Sequence, residues 1–194
     1  MGLTICYRGT LRNPNNIEVF LEDVDDICME IGWPSMPIHR SGIMPAKGIM
    51  ITPAGSEPIW LTFLENGNMY DPGHFIYNSH PELEIVNEEP GQWVVTKTQY
   101  AGVDTHMAVI KLFRYLSSKY FESFELNDDS QYWETDDVAA CLIRFDEFTI
   151  AINKLGALLD LDDDDFEDDE DDESEADRMD EALKRKGGLG ASLN

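Results

Sequence analysis

Three stretches of the chain carry apolar residues at intervals of three and four, the spacing that places them on one face of an α-helix. The first covers residues 15–32, where acidic residues fill the opposite face and Gly32 provides a stop signal. The second covers residues 105–120. The third begins after Thr135, which we expect to be its N-cap, and continues to Leu159. Its apolar stripe, which we expect to be buried, consists of Val138, Cys141, Leu142, Phe145, Phe148, Ile152, Leu155 and Leu159. Because apolar positions are densest in the third stretch, it is the strongest helix prediction in the chain.

Shorter apolar runs bounded by turn residues predict β-strands. The predicted strands cover residues 3–7, 47–52, 59–64, 93–100 and 121–126. The sequence PAGSEP separates the second from the third and predicts a hairpin with a Pro/Gly loop. Residues 65–92 are rich in Asn, Gly, Pro and His, so we expect a long connection that contains one short strand, 83–86.

The order of these elements suggests an internal repeat. A strand, a Tyr-x-Gly tripeptide and an amphipathic helix occur around residues 7–9 and again around residues 100–102. Strand, helix, strand, strand, helix matches part of the ferredoxin-like βαββαβ order, in which helices pack on one face of a mainly antiparallel sheet. We therefore expect an α+β protein with two ferredoxin-like αβ units, a degenerate first unit at 1–90 and a second at 91–159.

The remaining residues, 160–194, form an acidic tail that we expect to be disordered, with at most a transient helix over 177–186. The net charge is −25, and the tail contributes much of it. Through Ala157 there are 10 Lys and Arg against 23 Asp and Glu, and from Leu158 onward 4 against 16. Such a surface repels nucleic acids and anionic membranes, so the expected partner is a basic protein. A homodimer is the other partner that the sequence leaves open.

The three cysteines, Cys6, Cys28 and Cys141, are widely spaced and embedded in apolar runs. This pattern predicts buried free thiols, because neither a disulfide framework nor a CxxC metal site is present. No basic and apolar leader or long apolar stretch is recognisable, so we expect a cytoplasmic protein with no contact to membranes.

One group of residues is a candidate ligand-binding site. His106 follows a strand and a glycine at the N-terminal end of a helix, where the helix dipole favours a neutral imidazole that acts as a base or a ligand. Lys97 and Tyr100 precede it, and Trp133 and Glu134 lie in a turn that could converge on the same edge. The alternative is a structural role for these residues. In that case His106 lies on the apolar face of the helix and makes a hydrogen bond there, and Trp133 packs on the core.

Other motifs give less support for chemistry. His74 and His80 lie near carboxylates, but their spacing matches no closed metal site. The glycines form no phosphate-binding loop, and the Asp run lacks the glycine and terminal glutamate of a calcium loop. We therefore expect no metal, no cofactor and no catalytic residue.

Four features together resemble a known group of proteins: residues 100–102, residues 105–106, the helix at 110–120 and the turn at 132–135. The chain is similar to uncharacterised bacterial proteins built from a tandem repeat of ferredoxin-like αβ domains. The resemblance covers about residues 2–157. It implies a fold and no activity.

The sequence therefore favours a non-enzymatic, protein-interaction or self-associating module of the bacterial cytoplasm. The alternative is a small-molecule-binding protein or modest hydrolase with a pocket near Tyr100, His106 and Glu134. A third hypothesis is mimicry of nucleic acid by the acidic surface.

Overall fold

A computed structural model describes residues 3–41, 45–73, 91–158 and 174–189, which fold as an α+β protein. In these described ranges, six strands form two antiparallel sheets, and five α-helices surround them. The strands are β1 Thr4–Leu11, β2 Ser35–Arg40, β3 Ala46–Ile51, β4 Ile59–Leu64, β5 Val94–Lys97 and β6 Phe121–Asp128. The helices are α1 Ile17–Ile31, α2 Gly102–Tyr120, α3 Tyr132–Thr135, α4 Val138–Leu158 and α5 Glu175–Leu189, with a 3₁₀ turn at Pro14–Asn16.

The N-terminal strand β1 pairs with two strands from the second half of the sequence. β1 lies between β5 and β6, so that Tyr7 is opposite Val94 on one side and Leu126 on the other. The second sheet has the order β2-β3-β4. The proposed division near residue 90 thus passes through the first sheet, and the ferredoxin-like repeat is not confirmed.

The two Tyr-x-Gly tripeptides have different structures. Residues 7–9 lie inside β1, whereas residues 100–102 form the turn that enters α2. Gly9 is required by its neighbours, because a Cβ atom there would lie 2.6 Å from the Phe121 ring and 2.7 Å from the Ser123 carbonyl oxygen. Glycine at this position therefore permits the close approach of β6 and marks no turn.

The hydrophobic core lies between α1, α2 and both sheets. Phe20 of α1 connects them, since its ring packs edge-on against Phe63 of β4 at 5.3 Å and against Tyr120 at the end of α2 at 5.2 Å between ring centroids. Phe63 also contacts Phe121 of β6 at 5.8 Å. These aromatic contacts make one continuous core from the two sheets.

Helix ends confirm one sequence expectation and correct another. Gly32 ends α1 in the left-handed conformation, with φ +81°. The N-cap of α4 is Asp137, whose carboxylate accepts a hydrogen bond from the Ala140 N–H at 3.0 Å, and the expectation of Thr135 was wrong. Thr135 instead ends the short helix α3, and Asp136 separates the helices with φ +56°.

The sequence reading missed β2, because Pro37 interrupts its short apolar pattern. Among the described strands β2 pairs only with β3, so it lies at the sheet edge where a missing N–H is tolerated.

The tail also departs from the predicted disorder. Residues 175–189 form α5, which packs on the folded body through Ala176, Met179 and Ala182. The helix is stabilised by this packing, which an isolated segment lacks. The acidic run 160–173, the expected strand 83–86 and His74 and His80 lie outside the described residues.

Candidate functional site

His106 is completely buried in a polar cluster. This cluster joins α2 to the C-terminal ends of β5 and β6, the two outer strands of the first sheet. Its Nδ1 atom lies 2.6 Å from the Thr98 hydroxyl, just after β5. Its Nε2 atom lies 2.8 Å from the Ser130 hydroxyl and 3.1 Å from Asp128 Oδ1, at the end of β6. Phe145 of α4 closes the cluster with its ring 5.3 Å away. Both imidazole nitrogens therefore have partners.

Asp128 organises the turn between β6 and α3. Its Oδ1 atom accepts the Ser130 N–H at 2.8 Å, and its Oδ2 atom accepts the Ser130 hydroxyl at 2.8 Å and the Trp133 N–H at 3.0 Å. Burial raises the pKa of this carboxyl, but the hydrogen bonds from His106, Trp133 and Ser130 outweigh burial and hold the pKa below its usual range. The charged form is therefore the one that this cluster stabilises.

The hydrogen-bond geometry fixes the proton on the imidazole. Ser130 has a single hydroxyl proton, and it points to Asp128 Oδ2, because a carboxylate only accepts. The Ser130 oxygen must then accept from His106, so Nε2 carries a proton. In the neutral ring, Nδ1 consequently accepts from the Thr98 hydroxyl.

This arrangement does not match a nucleophile activated by a base. In a Ser-His-Asp triad one ring nitrogen accepts from the serine while the other donates to the carboxylate. Here Ser130 and Asp128 both lie against Nε2, which is already protonated. Cys141 is also fully buried, and burial raises the pKa of its thiol. The cluster therefore connects β5, α2 and the turn after β6 by buried hydrogen bonds. This supports the structural alternative for His106.

The other candidate ligand residues lie in separate surroundings. Lys97 forms a surface ion pair with Glu57 at 3.6 Å. Tyr100 is 57% exposed, with its ring against Phe148. In the described contacts, the only link among the candidates is indirect and runs from the Trp133 N–H through Asp128 to His106.

Trp133 and Glu134 are neighbours in sequence but have different surroundings. The Trp133 ring packs against Phe124 at 5.9 Å, and the Arg114 guanidinium lies 6.0 Å from it. Glu134 is exposed and lines a cleft of about 320 Å³ together with Asp128. His106 does not line this cleft.

A feature that the sequence reading missed is the exposed surface of α4. The sequence predicted burial of Val138, Leu142 and Leu155, and this was wrong. Five apolar side chains of this helix are 43–57% exposed, and we call them the α4 surface: Val138, Leu142, Ile143, Ile150 and Leu155. Among the described side chains of α4, those of Cys141 and Phe145 are the buried ones. The sequence contained one indication of this exposed surface. Ile143 and Ile150 are apolar but lie outside the stripe of α4 that was predicted to be buried.

An apolar groove continues the α4 surface toward the first sheet. It has a volume of about 650 Å³ and lies between α4, the start of β1 and the end of β6. Leu3, Phe148 and Ile152 line it, and Asp129 and Glu147 form part of its rim. Arg144 is paired with Glu147 at 3.1 Å. α4 is 21 residues long, but no helix in the described residues is long and apolar enough to cross a membrane.

Metal binding finds no support in the described residues, which contain no group of three His, Cys, Asp or Glu side chains able to hold an ion. Comparison of the chain with family models, curated proteins and solved structures gives no match.

Proposed function

We propose that the protein is a non-enzymatic interaction module that binds a basic amphipathic segment of another protein along the α4 surface and its groove. The observation that carries this proposal is the exposure of five large apolar side chains on a single helix. A helix with apolar residues around its whole circumference is ordinarily buried on all sides. Within the ranges that the structure describes, α4 is covered on one side only.

The driving force for binding comes from the apolar area that a partner would cover. Removal of apolar surface from water stabilises a complex by roughly 25 cal/mol per Å². Leu155 belongs to both the α4 surface and the groove, and exposed apolar patches on soluble proteins mark interaction sites. Ile143 and Ile150 are seven residues apart, so both face a partner helix that lies along α4.

Charge selects the kind of partner. With a net charge of −25, two copies of the chain repel each other, whereas a basic segment is attracted and steered to the surface. Asp137, Asp146 and Glu147 border the apolar positions of α4. The basic residues of this helix are Arg144, which is already paired with Glu147, and Lys154. An amphipathic helix with Lys and Arg beside its apolar face complements this surface.

The enzymatic alternative has no observation in its favour. A solute cannot reach His106 in this conformation, since the side chain has no exposed surface. Its ring nitrogens are engaged by Thr98, Ser130 and Asp128.

The test uses a labelled synthetic helix of leucine and lysine, 18 residues long, and fluorescence anisotropy with the full chain. The double variant Ile143→Gln/Ile150→Gln removes two central apolar contacts. The matched control is Val19→Gln/Met29→Gln on α1, where the two apolar side chains are 55% and 66% exposed. We expect at least tenfold weaker binding for the α4 variant and little change for the control, because each buried isoleucine contributes roughly 1.5–3 kcal/mol.

Three outcomes contradict the proposal. Equal affinity of the two variants would show that the peptide binds by charge alone. Equal binding of a leucine–glutamate helix would remove the basic partner. A concentration-dependent dimer in light scattering, lost in the α4 variant and kept in the control, would identify a second copy as the occupant.

A further inference from the structure

The C-terminal helix α5 covers a surface formed by α1 and α2. α5 packs across α1 and α2 and buries Ala176, Met179 and Ala182, with Leu183 partly buried beside them. Two of these four side chains are alanines. The apolar contact that holds α5 is therefore small for a helix of 15 residues.

Polar contacts hold the N-terminal half of α5 on α2. The Thr105 hydroxyl donates to Glu175 at 2.7 Å, and the Lys111 ammonium donates to Asp180 at 2.6 Å. Lys111 also donates to the Ala176 carbonyl at 3.1 Å. The acidic residues of α5 thus face the polar and basic residues of α2.

The C-terminal half of α5 has the opposite charge and faces α1. The Lys186 ammonium lies 2.6 Å from Asp26 and 3.2 Å from Asp23, and Arg185 pairs with Glu30. α1 carries six acidic residues and no Lys or Arg. The last turn of α5 therefore supplies cations where α1 has only anions.

The receiving surface is built without α5. Asp23 is buried, and three groups of α2 donate to its Oδ2 atom: the Tyr115 hydroxyl at 2.8 Å, the Tyr120 hydroxyl at 2.7 Å and the Lys119 ammonium at 2.9 Å. These bonds join α1 to α2 directly. The carboxylate therefore keeps partners when Lys186 leaves, and the surface retains its shape.

We propose that this α1–α2 surface is a docking site for a partner protein's helix with small apolar residues on one face and basic residues in its last turn, and that α5 is an internal competitor for it. A helix of this length is marginal on its own, and the Arg185–Glu30 pair is exposed on the arginine side and screened by salt, whereas Lys111 and Lys186 are largely shielded. α5 is thus held weakly enough to be displaced. The site meets the α4 surface at one residue, Val138, which lines a cleft together with Asp180 and Leu183, whereas Ile143 and Ile150 do not line that cleft. The Ile143→Gln/Ile150→Gln variant therefore tests the first proposal without altering the α1–α2 surface.

The probe is a labelled synthetic peptide with the sequence of residues 174–189, and the protein is the full chain. The variant Met179→Asp/Lys186→Glu weakens the attachment of α5 without altering α1 or α2. Lys184→Glu is the matched control, since Lys184 is exposed on the same helix turn. We expect at least tenfold tighter peptide binding to the released variant than to the wild type or the control. Adding Asp26→Lys to the released variant should remove this gain.

A second measurement on the wild-type chain does not depend on a variant that folds. When the added peptide carries a stable-isotope label, hydrogen exchange followed by mass spectrometry distinguishes the α5 amides of the chain from those of the peptide. An excess of this labelled peptide should lower the protection of the chain's α5 and leave β1 unchanged. Unchanged α5 protection at saturating peptide, or equal peptide affinity for folded released variant and wild type, would overturn the proposal. A dimer that is lost in the released variant would make the second copy's α5 the occupant instead.

Discussion

Both ring nitrogens of His106 are hydrogen-bonded inside the protein. Removal of this side chain should therefore lower the stability of the fold. We expect His106→Ala to lower the free energy of unfolding by about 3 kcal/mol, because Asp128 and Ser130 lose a buried donor and a cavity forms beside Phe145. Urea unfolding measures this difference. His39→Ala, at an exposed position of β2, is the control and should change it by less than about 0.5 kcal/mol. A loss of unfolding free energy in His106→Ala no larger than that in His39→Ala would contradict the structural role of His106.

Asp128 should make the stability of the protein sensitive to acid. Its folded pKa lies below the usual value, so its contribution is complete above the unfolded pKa of about 3.9 and is lost as the pH falls through the folded pKa. Asp128→Asn cannot titrate. The difference in unfolding free energy between wild type and Asp128→Asn should therefore shrink as the pH is lowered from 5 toward 2.5. The exposed variant Asp146→Asn serves as the control, and a difference that grows on acidification would contradict the assignment.

The expected site was only partly recoverable from the sequence. The strand, glycine and helix around His106 were visible as local patterns, and burial of the imidazole on the helix stripe was the structural alternative. Its partners Thr98 and Ser130 were not visible, because 8 and 24 residues separate them from it and folding alone brings them together. Exposure of Ile143 and Ile150 was likewise a question of which elements cover α4, which no local pattern decides.

Among the elements, α4 gives a direct test of the corrected N-cap. Asp137→Ala should lower the stability of the first turn of α4 by about 1 kcal/mol, since the Ala140 N–H loses its acceptor. Asp137→Asn retains a side-chain oxygen and separates capping from charge. Hydrogen exchange at the start of α4 should therefore accelerate in the alanine variant and stay near the wild-type rate in the asparagine variant. Equal acceleration in both would attribute the effect to charge at the helix dipole.

The elements that the sequence predicted are those whose stabilising contacts repeat along one face. α1 and α2 have long stripes of buried residues, and the hairpin of β3 and β4 has its turn chemistry in sequence. β2 and α5 depend on neighbours instead. β2 contains Pro37 and is held by β3, and α5 has two alanines among the four apolar residues of its contact face and is held by α1 and α2. Propensity is a weak guide where tertiary contacts decide.

At the scale of the whole molecule, the charge of −25 and the ion pairs of α5 respond oppositely to salt. Salt screens the repulsion among carboxylates and should raise the midpoint of thermal unfolding by several degrees between 20 mM and 500 mM NaCl. The same screening weakens the attachment of Lys186 and Arg185 to α1 and should lower the protection of α5 amides from exchange. Lys184→Glu, which leaves these pairs intact, should keep the salt response of α5. Protection of α5 that rises with salt alongside the unfolding midpoint would show that the helix is held by its apolar face, because hydrophobic contacts are not weakened by screening.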